Sequence, residues 1–498
     1  MLLALPIFAL FLTLVVLFLH LNPRKNVSLH HPPPGPKGFP FIGNLHQFDP
    51  SKPHVYFANL AKTYGPILSL RFGHVPIVVV QSAKLAKEIL QTQDLNFCSR
   101  PLMMGMQKLS YNGLDIAFAP YGEYFREVKK LSVVYLLSSR RVESFAHIRQ
   151  EEVLRMIQKI SSLSRSSQIV NLTELLMSFA RSNICRTAFG KRYEDDDNLG
   201  KRFHKLLNEV EAMFTIVFFG DYFPFLGWLD KLTGKFSKLD KIFKECDAFY
   251  EEIINDHLDP NRPKTNEGED LVDVLLHIKK DRSFHLTKEH IKAVLMNIFV
   301  AGTDTSSAMV EWAMTELMQN SNSMKKVQKE LRTVAGNKGF LNNADLMELS
   351  YFKAVVKETL RLHPAAPLLI VRETIQKSII EGYDILPKTH VYVNAWAIGR
   401  DSNSWKDPEK FFPERFLGTS IDFKGNDFQL IPFGGGRRIC PGMLLGHTNM
   451  ELALANLLYS FDWELPSDLK KTHMNTDTLP GITMHKKHPI RLFAKEFQ

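Results

Sequence analysis

The chain has 498 residues, 45% hydrophobic and 23% charged, a balance typical of a folded globular protein and unlike that of a disordered or fibrous chain. Four cysteines in so long a chain are too few for a disulfide framework, and they fit a reducing compartment. The formal net charge of +9 is modest and spread along the sequence. It fits an anionic membrane surface or an acidic partner protein, and it argues against a nucleic acid as partner.

Residues 1–22 predict a transmembrane signal anchor. The stretch Met1–Leu19 contains one polar residue, Thr13, and as a helix it would be about 28 Å long, close to one hydrocarbon core. Arg24 and Lys25 follow, and because positive residues stay on the cytoplasmic side, we expect the body of the chain to be cytosolic. The alternative is a cleaved secretory signal, but the stretch lacks a charged n-region and a small-residue cleavage site.

Residues 23–44 predict a basic and proline-rich hinge. Closely spaced prolines from Pro32 to Pro40 favour a stiff polyproline segment and exclude a helix. Such runs are often plain linkers or partner ligands. Directly after an anchor, we expect this one to set the orientation of the globular body, residues 45–498, on the bilayer.

The body of the chain predicts mainly α structure with small β-sheets. The runs Ile67–Phe72 and Ile77–Val80 flank Gly73 and Pro76 and predict a hairpin. Short alternating runs near Ile379–Thr389 and the C-terminus add a minor sheet component. Apolar residues at three- and four-residue spacing predict helices at Ala83–Gln91, Gly122–Tyr135, Val142–Ile160, Asn171–Phe189, Lys201–Phe214 and Phe236–His257.

An aromatic-rich stretch runs from Phe214 to Trp228, where Pro224 and Gly227 break the helical pattern. Aromatic stripes are more often part of a core. A phenylalanine-rich loop over a helical body also suits a lid on a substrate channel or a segment that enters a membrane surface. Both interpretations stay open at this stage.

A long apolar helix is predicted from Thr287, as N-cap, to Met318. Its middle, Ala301–Ser306, breaks the pattern, because a glycine weakens the helix and hydroxyls and a carboxylate interrupt the apolar face. Buried polar groups need partners, which water in a groove would supply. A hydroxyl beside a carboxylate, as in Thr305 and Asp304, suits proton delivery. The alternative is an N-cap at a misplaced helix boundary.

A glycine-rich loop precedes the last helical pattern, which begins at Met443. Three glycines, Gly434–Gly436, allow a tight turn and close approach to a bound group. Cys440 then lies just before a helix N-terminus, whose N–H groups favour a thiolate, so we expect a low pKa and one bond to a soft metal. A lone cysteine is more often a small buried hydrophobe. No second cysteine lies nearby for a zinc cluster or a redox pair.

The pattern F-x-x-G-x-R-x-C-x-G is met in full by Phe433, Gly436, Arg438, Cys440 and Gly442. It resembles the heme-binding loop of the cytochrome P-450 family, the heme-thiolate monooxygenases. The resemblance implies that Cys440 is the axial iron ligand of heme b, that Arg438 pairs with a heme propionate, and that Phe433 and the adjoining Gly434 contact the cofactor. A thiolate ligand pushes electron density onto iron and favours O–O cleavage.

The segment Ala301–Ser306 resembles the oxygen-activation segment of the same family. The resemblance implies that Ala301 borders the heme, that Thr305 holds oxygen and a water by its hydroxyl, and that Asp304 relays protons.

Glu358 and Arg361, three residues apart, would alone be an ordinary helical salt bridge. With Arg415 in Phe412–Phe416 they resemble the family's Glu-x-x-Arg and Pro-Glu-Arg-Phe triad, whose role is structural support under the heme loop. Arg372, which ends Leu368–Arg372, resembles an arginine that binds a propionate.

The family carries Trp-x-x-x-Arg on a helix that touches a heme propionate, and here Phe125 and Lys129 take those places. Phenylalanine has no N–H to donate, so its remaining role is stacking, and lysine offers a point charge instead of a fork. We expect Lys129, and Arg126 on the same helix, to bind the cofactor.

The resemblance covers essentially the whole chain and implies a single-domain cytochrome P-450 fold with an N-terminal transmembrane anchor, residues 45–498 being the catalytic domain. It implies a plant enzyme of the endoplasmic reticulum membrane that inserts one oxygen atom of O2 into a small hydrophobic specialised metabolite. Electrons come from NADPH through a cytochrome reductase, and we expect Arg437 in the docking face for it. The short sequence segments 92–97 and 258–264 resemble those of the branch of the family that oxidises aldoximes.

Two alternatives remain at the level of sequence. One is a heme-thiolate isomerase or dehydratase that needs no reductase, against which the intact Asp304–Thr305 pair argues. The other is a non-catalytic, membrane-anchored heme protein that senses or stores a ligand.

Overall fold

The computed structural model describes residues 31–193, 198–262, 268–281, 284–336, 338–466 and 476–497, together with Thr13. Apart from Thr13, the expected anchor lies outside the described residues, as does the expected hinge up to residue 30. Within the described ranges, one unbent helix, Lys288–Gln319, has the length and apolar composition of a membrane span, and it is mostly buried inside the protein. Burial of this kind is typical of a core helix.

Helices dominate the fold, as predicted. In chain order the α-helices of the described residues are α1 (Pro53–Tyr64), α2 (Ala83–Lys87), α3 (Asp94–Phe97), α4 (Met104–Leu109), α5 (Glu123–Leu131), α6 (Ser139–Ser144), α7 (Ala146–Arg165), α8 (Leu172–Phe189), α9 (Asn198–Thr215), α10 (Phe219–Tyr222), α11 (Trp228–Leu232), α12 (Lys235–Leu258), α13 (Leu271–Lys280), α14 (Lys288–Gln319), α15 (Ser321–Ala335), α16 (Ser350–Leu362), α17 (Ala395–Ile398) and α18 (Met443–Ser460).

The strands are short and form three small sheets. The strands of the described residues are β1 (Ile67–Phe72), β2 (Val75–Val80), β3 (Val170–Asn171), β4 (Arg372–Glu373), β5 (Ser378–Ile380), β6 (Tyr383–Ile385), β7 (His390–Val393), β8 (Phe461–Glu464) and β9 (Arg491–Glu496). Their orders are β1-β2-β7-β4, β3-β9-β8 and β5-β6.

The predicted hairpin is confirmed, since β1 and β2 pair antiparallel with Ile67 opposite Val80. β2 begins at Val75, two residues before the predicted start, and so includes Pro76. The parallel pairing of β2 with β7 starts only at Ile77, so the missing N–H of the proline removes no bond from that ladder.

The helix predictions are confirmed in position, but Ala83–Gln91 and Gly122–Tyr135 each end in a π-helical turn, at Glu88–Thr92 and Ser132–Leu136. One complete break was also not expected. The segment predicted as one helix from Val142 to Ile160 is two, α6 and α7, which meet at Phe145. Neither glycine nor proline marks this break. The helix predicted at Asn171–Phe189 begins as expected, because the Asn171 side chain accepts a hydrogen bond from the Glu174 N–H.

The helix α14 runs through the centre of the protein, and we call it the central helix. Thr287 caps it as predicted, accepting from the His290 N–H. It packs mainly against α8 and α18, and its apolar residues join the two largest core clusters. Ala301 is exposed although most of the helix is buried. An exposed alanine in the middle of a core helix indicates an interior cavity.

Candidate active site

A cavity of about 600 Å³ lies between the central helix and the loop Phe433–Gly442. Much of its wall is apolar and comes from Phe118, Ile184, Val300, Leu369, Ile370 and Leu445. The predicted site residues that line it are Lys129, Ala301, Asp304, Thr305, Arg372, Phe433, Gly434, Arg438 and Cys440. The segment Leu479–Thr483, near the C-terminus, lines it too.

Arg126 is the predicted cofactor-binding residue that the structure does not bring to the cavity. It lies exposed on α5 and is absent from the cavity wall. Phe125 and Lys129, which are one turn apart on the same helix, do line the wall, whereas Arg126 does not.

The glycines of the cysteine loop are required by its shape. Gly434 and Gly436 have φ of +73° and +65°, a region that other residues rarely adopt. A Cβ on Gly436 would lie 2.0 Å from the carbonyl oxygen of Leu90, so the loop packs directly on the backbone beside α3. The Cys440 N–H donates to the Phe433 carbonyl at 3.0 Å and closes the loop.

The protein groups around Cys440 do not by themselves give its thiol the expected low pKa. Burial raises the pKa of the Cys440 thiol, although the N–H of Gly442 lowers it. The helix α18 does begin three residues later, at Met443. The cost of desolvating the thiolate outweighs the stabilisation that the nearby helix N-terminus gives it. A bond to a metal ion would supply the remaining stabilisation of the thiolate.

Asp94, on α3, organises this loop, and sequence reasoning missed it. Its buried carboxylate accepts from the Arg437 backbone N–H at 2.8 Å and forms ion pairs with Arg372 at 3.2 Å and with the Arg437 side chain at 3.3 Å. One carboxylate thus ties the cysteine loop to β4. The partners are separated by hundreds of residues, so no local spacing signals the contact.

One end of the cavity is cationic. Burial and, next, the charge of Arg372 lower the pKa of Arg438 to about 10. Burial and the charge of Arg438 also lower the pKa values of Lys129 and Arg100. Arg100, a second residue that sequence reasoning missed, donates to backbone carbonyl groups, including that of Ala117 at 2.8 Å. Cations that depress one another's pKa favour an anionic group among them.

Phe125 stacks, as the sequence allowed. The Arg438 guanidinium carbon lies 3.5 Å from the centre of the Phe125 ring, a close cation–π contact. The same guanidinium donates to carbonyl oxygens of Cys98, Ile116 and Ala119. Lys129 contacts the Arg437 carbonyl oxygen through Nζ. Both substitutions in the Trp-x-x-x-Arg pattern therefore support the arginine and the loop around Cys440.

The middle of the central helix carries the hydroxyl–carboxylate pair. Thr305 Oγ1 donates to the Ala301 carbonyl at 2.7 Å, one turn back, and both residues line the cavity. The buried Asp304 lies beside His485, with Asp304 Oδ1 and His485 Nε2 2.5 Å apart. The distance is that of a hydrogen bond but the alignment is not, so we describe the contact as an ion pair. Sequence reasoning did not single out His485.

Glu358, Arg361 and Arg415, which the sequence predicted as a structural triad, form ion pairs with one another through Glu358. Glu358 Oε2 accepts from Arg361 Nε at 2.7 Å, and Glu358 Oε1 accepts from Arg415 Nε at 3.0 Å. Arg361 and Arg415 also donate to the backbone between Gly399 and Lys410. The two guanidinium partners offset the free-energy cost of burying the Glu358 carboxylate. The resulting contacts hold α16 against the segment that leads into the cysteine loop.

The residues present fit a heme. A single thiol faces one wall of the cavity, the facing helix exposes a small residue, Ala301, and one end carries four buried or half-buried cations that suit two propionates. In the described residues, the carboxylates facing those cations are Asp94 and Asp115, and burial raises the pKa of Asp115 to about 6. Cys440 would hold the iron, and Arg100, Arg438, Arg372 and Lys129 the propionates.

This arrangement of thiol, cationic end and hydroxyl–carboxylate pair defines a heme-thiolate oxygenase. A family model described as Cytochrome P450 matches residues 33–493. The 5-OH-xanthotoxin synthase of Ammi majus is 50% identical over 97% of this chain and 96% of its own length. The 6,7,8-trihydroxycoumarin synthase of Pastinaca sativa is 47% identical over 100% of this chain and 98% of its own length.

The fold agrees with that of a solved member. A zebra fish cytochrome P450, solved with abiraterone, matches with a TM-score of 0.74 and 24% identity, over 90% of this chain and 99% of that chain. The chain belongs to the cytochrome P450 family. It is a monooxygenase that uses heme, with a cysteine thiolate as the axial ligand.

Proposed function

We propose that this monooxygenase hydroxylates the ring of a coumarin-type specialised metabolite, with electrons from NADPH passed on by a membrane-bound reductase. One observation carries the proposal. Over nearly its full length, about half of the chain's residues are identical to those of enzymes whose names describe ring-hydroxylated products, 5-OH-xanthotoxin and 6,7,8-trihydroxycoumarin. The apolar wall of the cavity supports it, because such ligands are small, planar and mostly apolar.

Two groups of the chain's own residues act in this reaction. Phe118, Ile184 and Val300 exclude water and hold an apolar ring above the cysteine loop. Thr305 and Asp304 place a hydroxyl and a carboxylate at the cavity, where they hold and pass on protons. The heme, when bound, supplies O2 activation and the transfer of one oxygen atom.

Reductase docking is part of the proposal. Arg437 lies beside Cys440 with 46% of its side chain exposed, although its guanidinium also pairs with Asp94. Its exposed part presents positive charge on the cysteine loop, which suits an acidic electron donor. The location in the endoplasmic reticulum membrane, through an anchor at residues 1–22, belongs to the same proposal.

The proposal is tested with full-length protein in microsomes, beside Cys440→Ser. We expect the reduced protein to give a red-shifted carbon-monoxide band that the variant lacks. With reductase and NADPH, a panel of coumarins and furanocoumarins is then compared with aldoximes, the substrates that the sequence phrases suggested.

Hydroxylated coumarins that form only with NADPH support the proposal. Oxidation of aldoximes alone contradicts the substrate class. Substrate conversion without NADPH would revive the isomerase or dehydratase, and a carbon-monoxide band without NADPH-linked turnover of any substrate would favour the non-catalytic heme protein.

A further inference from the structure

Three ionisable side chains from three separate parts of the fold meet at the cavity wall. Asp304 comes from the central helix, Glu211 from α9, which covers the cavity, and His485 from the C-terminal segment. One side-chain oxygen or nitrogen of each lies within 4.8 Å of the others. We call these residues the proton triad. Two members of the triad, Glu211 and His485, lie outside the hydroxyl–carboxylate pair and have no role in the reaction described so far.

The backbone around His485 is held firmly. The preceding residue, Met484, donates its N–H to the Ala365 carbonyl at 2.8 Å and accepts from Trp312 Nε1 at 2.7 Å. His485 also accepts from the Leu479 N–H through its carbonyl, at 2.9 Å. The imidazole is therefore positioned against Asp304 by bonds to the central helix and to the segment after α16.

The surroundings of two members of the triad favour their protonated forms. Burial alone lowers the pKa of His485, but the contact with Asp304 and the charges of Glu211 and Glu311 raise it above its ordinary value overall. Burial, and next the charge of Asp304, raises the pKa of Glu211 to about 8, although His485 lowers it. Glu211 Oε1 is buried and has no hydrogen-bond partner in the described residues.

The charged groups that face the triad are few. Glu311, two turns further along the central helix, faces His485 and is itself influenced by Lys486. Asp304 and His485 face Glu211. His485 and Glu211 are thus the two members whose protonated forms are favoured by their surroundings, and both lie next to Asp304.

We propose that His485 and Glu211 are positioning residues that store the two protons consumed in each monooxygenase turnover and pass them through Asp304 to the oxygen site beside Thr305. The reaction takes up two electrons and two protons per O2, one oxygen entering the substrate and the other leaving as water. The Asp304 carboxylate accepts a proton from His485 or Glu211 and passes it on, and the donor recovers its proton from water. The inference rests on the proposed function.

The first test follows His485 directly, without turnover. Full-length protein with ¹³C-labelled histidine is titrated by NMR in its ferrous carbon-monoxide form, which is diamagnetic, and His485 is assigned with His485→Gln. We expect it to titrate above 6.5, the ordinary value for histidine, and to show a second inflection near 8 that disappears in Glu211→Gln. A His485 that titrates below its ordinary value, or ignores Glu211→Gln, overturns the triad.

The second test measures how NADPH electrons divide between product and hydrogen peroxide. We expect His485→Gln and Glu211→Gln to lower the product share roughly tenfold, less than loss of a direct proton donor, with a carbon-monoxide band like that of the wild type. Glu209→Gln is the matched control, because Glu209 lies on the same helix beside Lys205 and outside the cavity wall. We expect it to behave as the wild type.

The pH profile separates proton storage from a merely structural role. The wild-type product share should fall as pH rises through about 8, where Glu211 loses its proton, and Glu211→Gln should lack that step. Unchanged product share and profile in both variants overturn the inference while the proposed function stands. Absence of NADPH-linked product in the wild type contradicts the proposed function instead. In that case the NMR titration still tests whether His485 and Glu211 are coupled.

Discussion

Asp94 shows how one buried carboxylate determines the arrangement of a cofactor loop. It joins Arg372 and both the backbone and the side chain of Arg437. Since Arg372 is buried at the cavity, removing the carboxylate leaves a cation without its partner next to other cations. The residue that positions the loop is thus distant from it in sequence and carries no motif of its own.

Asp94→Asn should therefore destabilise the protein and weaken heme retention. Removing one partner of a buried ion pair costs about 3–5 kcal/mol, although part of the Arg437 contact is exposed and contributes less. Chemical denaturation and the heme content after purification measure the two effects. Asp281→Asn, exposed at the end of α13, is the control. Equal stability and heme content in Asp94→Asn and the control would contradict the organising role.

Glu211 should make stability depend on pH. Burial and Asp304 raise its folded-state pKa to about 8 from 4.5, so between these values the folded state binds the extra proton and stability falls as pH rises. Glu211→Gln keeps a neutral side chain at every pH. We expect the melting temperature of the wild type, relative to this variant, to decrease from pH 6 to pH 9. A constant difference across that range would show that the carboxyl is not held protonated.

At the scale of the elements, the cysteine loop depends on glycine for two independent reasons. Gly436 has a positive φ, and its missing side chain leaves room for the Leu90 carbonyl, which a Cβ would approach to 2.0 Å. The loop therefore approaches α3 closely enough for Asp94 to reach the Arg437 N–H. The resemblance pointed to this glycine, but its packing against Leu90 needed the structure.

Gly436→Ala should prevent the loop from seating. The nearest atom is backbone and cannot rotate away, so we expect low heme content and loss of the carbon-monoxide band in purified protein. Gly418→Ala is a useful control, since that glycine also has a positive φ but has no neighbour within 4 Å. It tests strain without a clash. Normal heme loading of Gly436→Ala would mean that the loop tolerates displacement from Leu90.

Local pattern predicted most elements, and long-range contacts account for what it missed. The hairpin, the cap at Thr287 and the long central helix follow from spacing and turn residues. The break at Phe145 carries no glycine or proline signal, so periodicity ran through it. Arg100, Asp94 and His485 were missed because their partners lie far away in the chain, and spacing encodes only neighbours along one element.

At the scale of the whole molecule, an exposed apolar surface surrounds the β1–β2 turn. Trp228 and Leu232 on α11 are 59% and 74% exposed, and Phe225 beside them is 60% exposed. Phe225 packs edge-on against His74 in that turn, and the Gly73 N–H donates to the Ile42 carbonyl of the hinge region. The aromatic stretch and the chain that follows the expected anchor therefore meet on one side of the protein, where apolar groups suit a lipid surface.

This surface predicts how the full-length protein lies on a bilayer. Five tryptophans are present. Trp312, Trp405 and Trp463 are buried and Trp396 is half-buried, so the exposed Trp228 is a natural probe of the surface. In lipid nanodiscs containing brominated acyl chains, we expect part of the tryptophan fluorescence to be quenched, and that part to be absent in Trp228→Phe. The exposed Lys231, next to Leu232, should strengthen contact with anionic lipid headgroups. Quenching that is unchanged in Trp228→Phe would mean that α11 faces water and that another surface contacts the membrane.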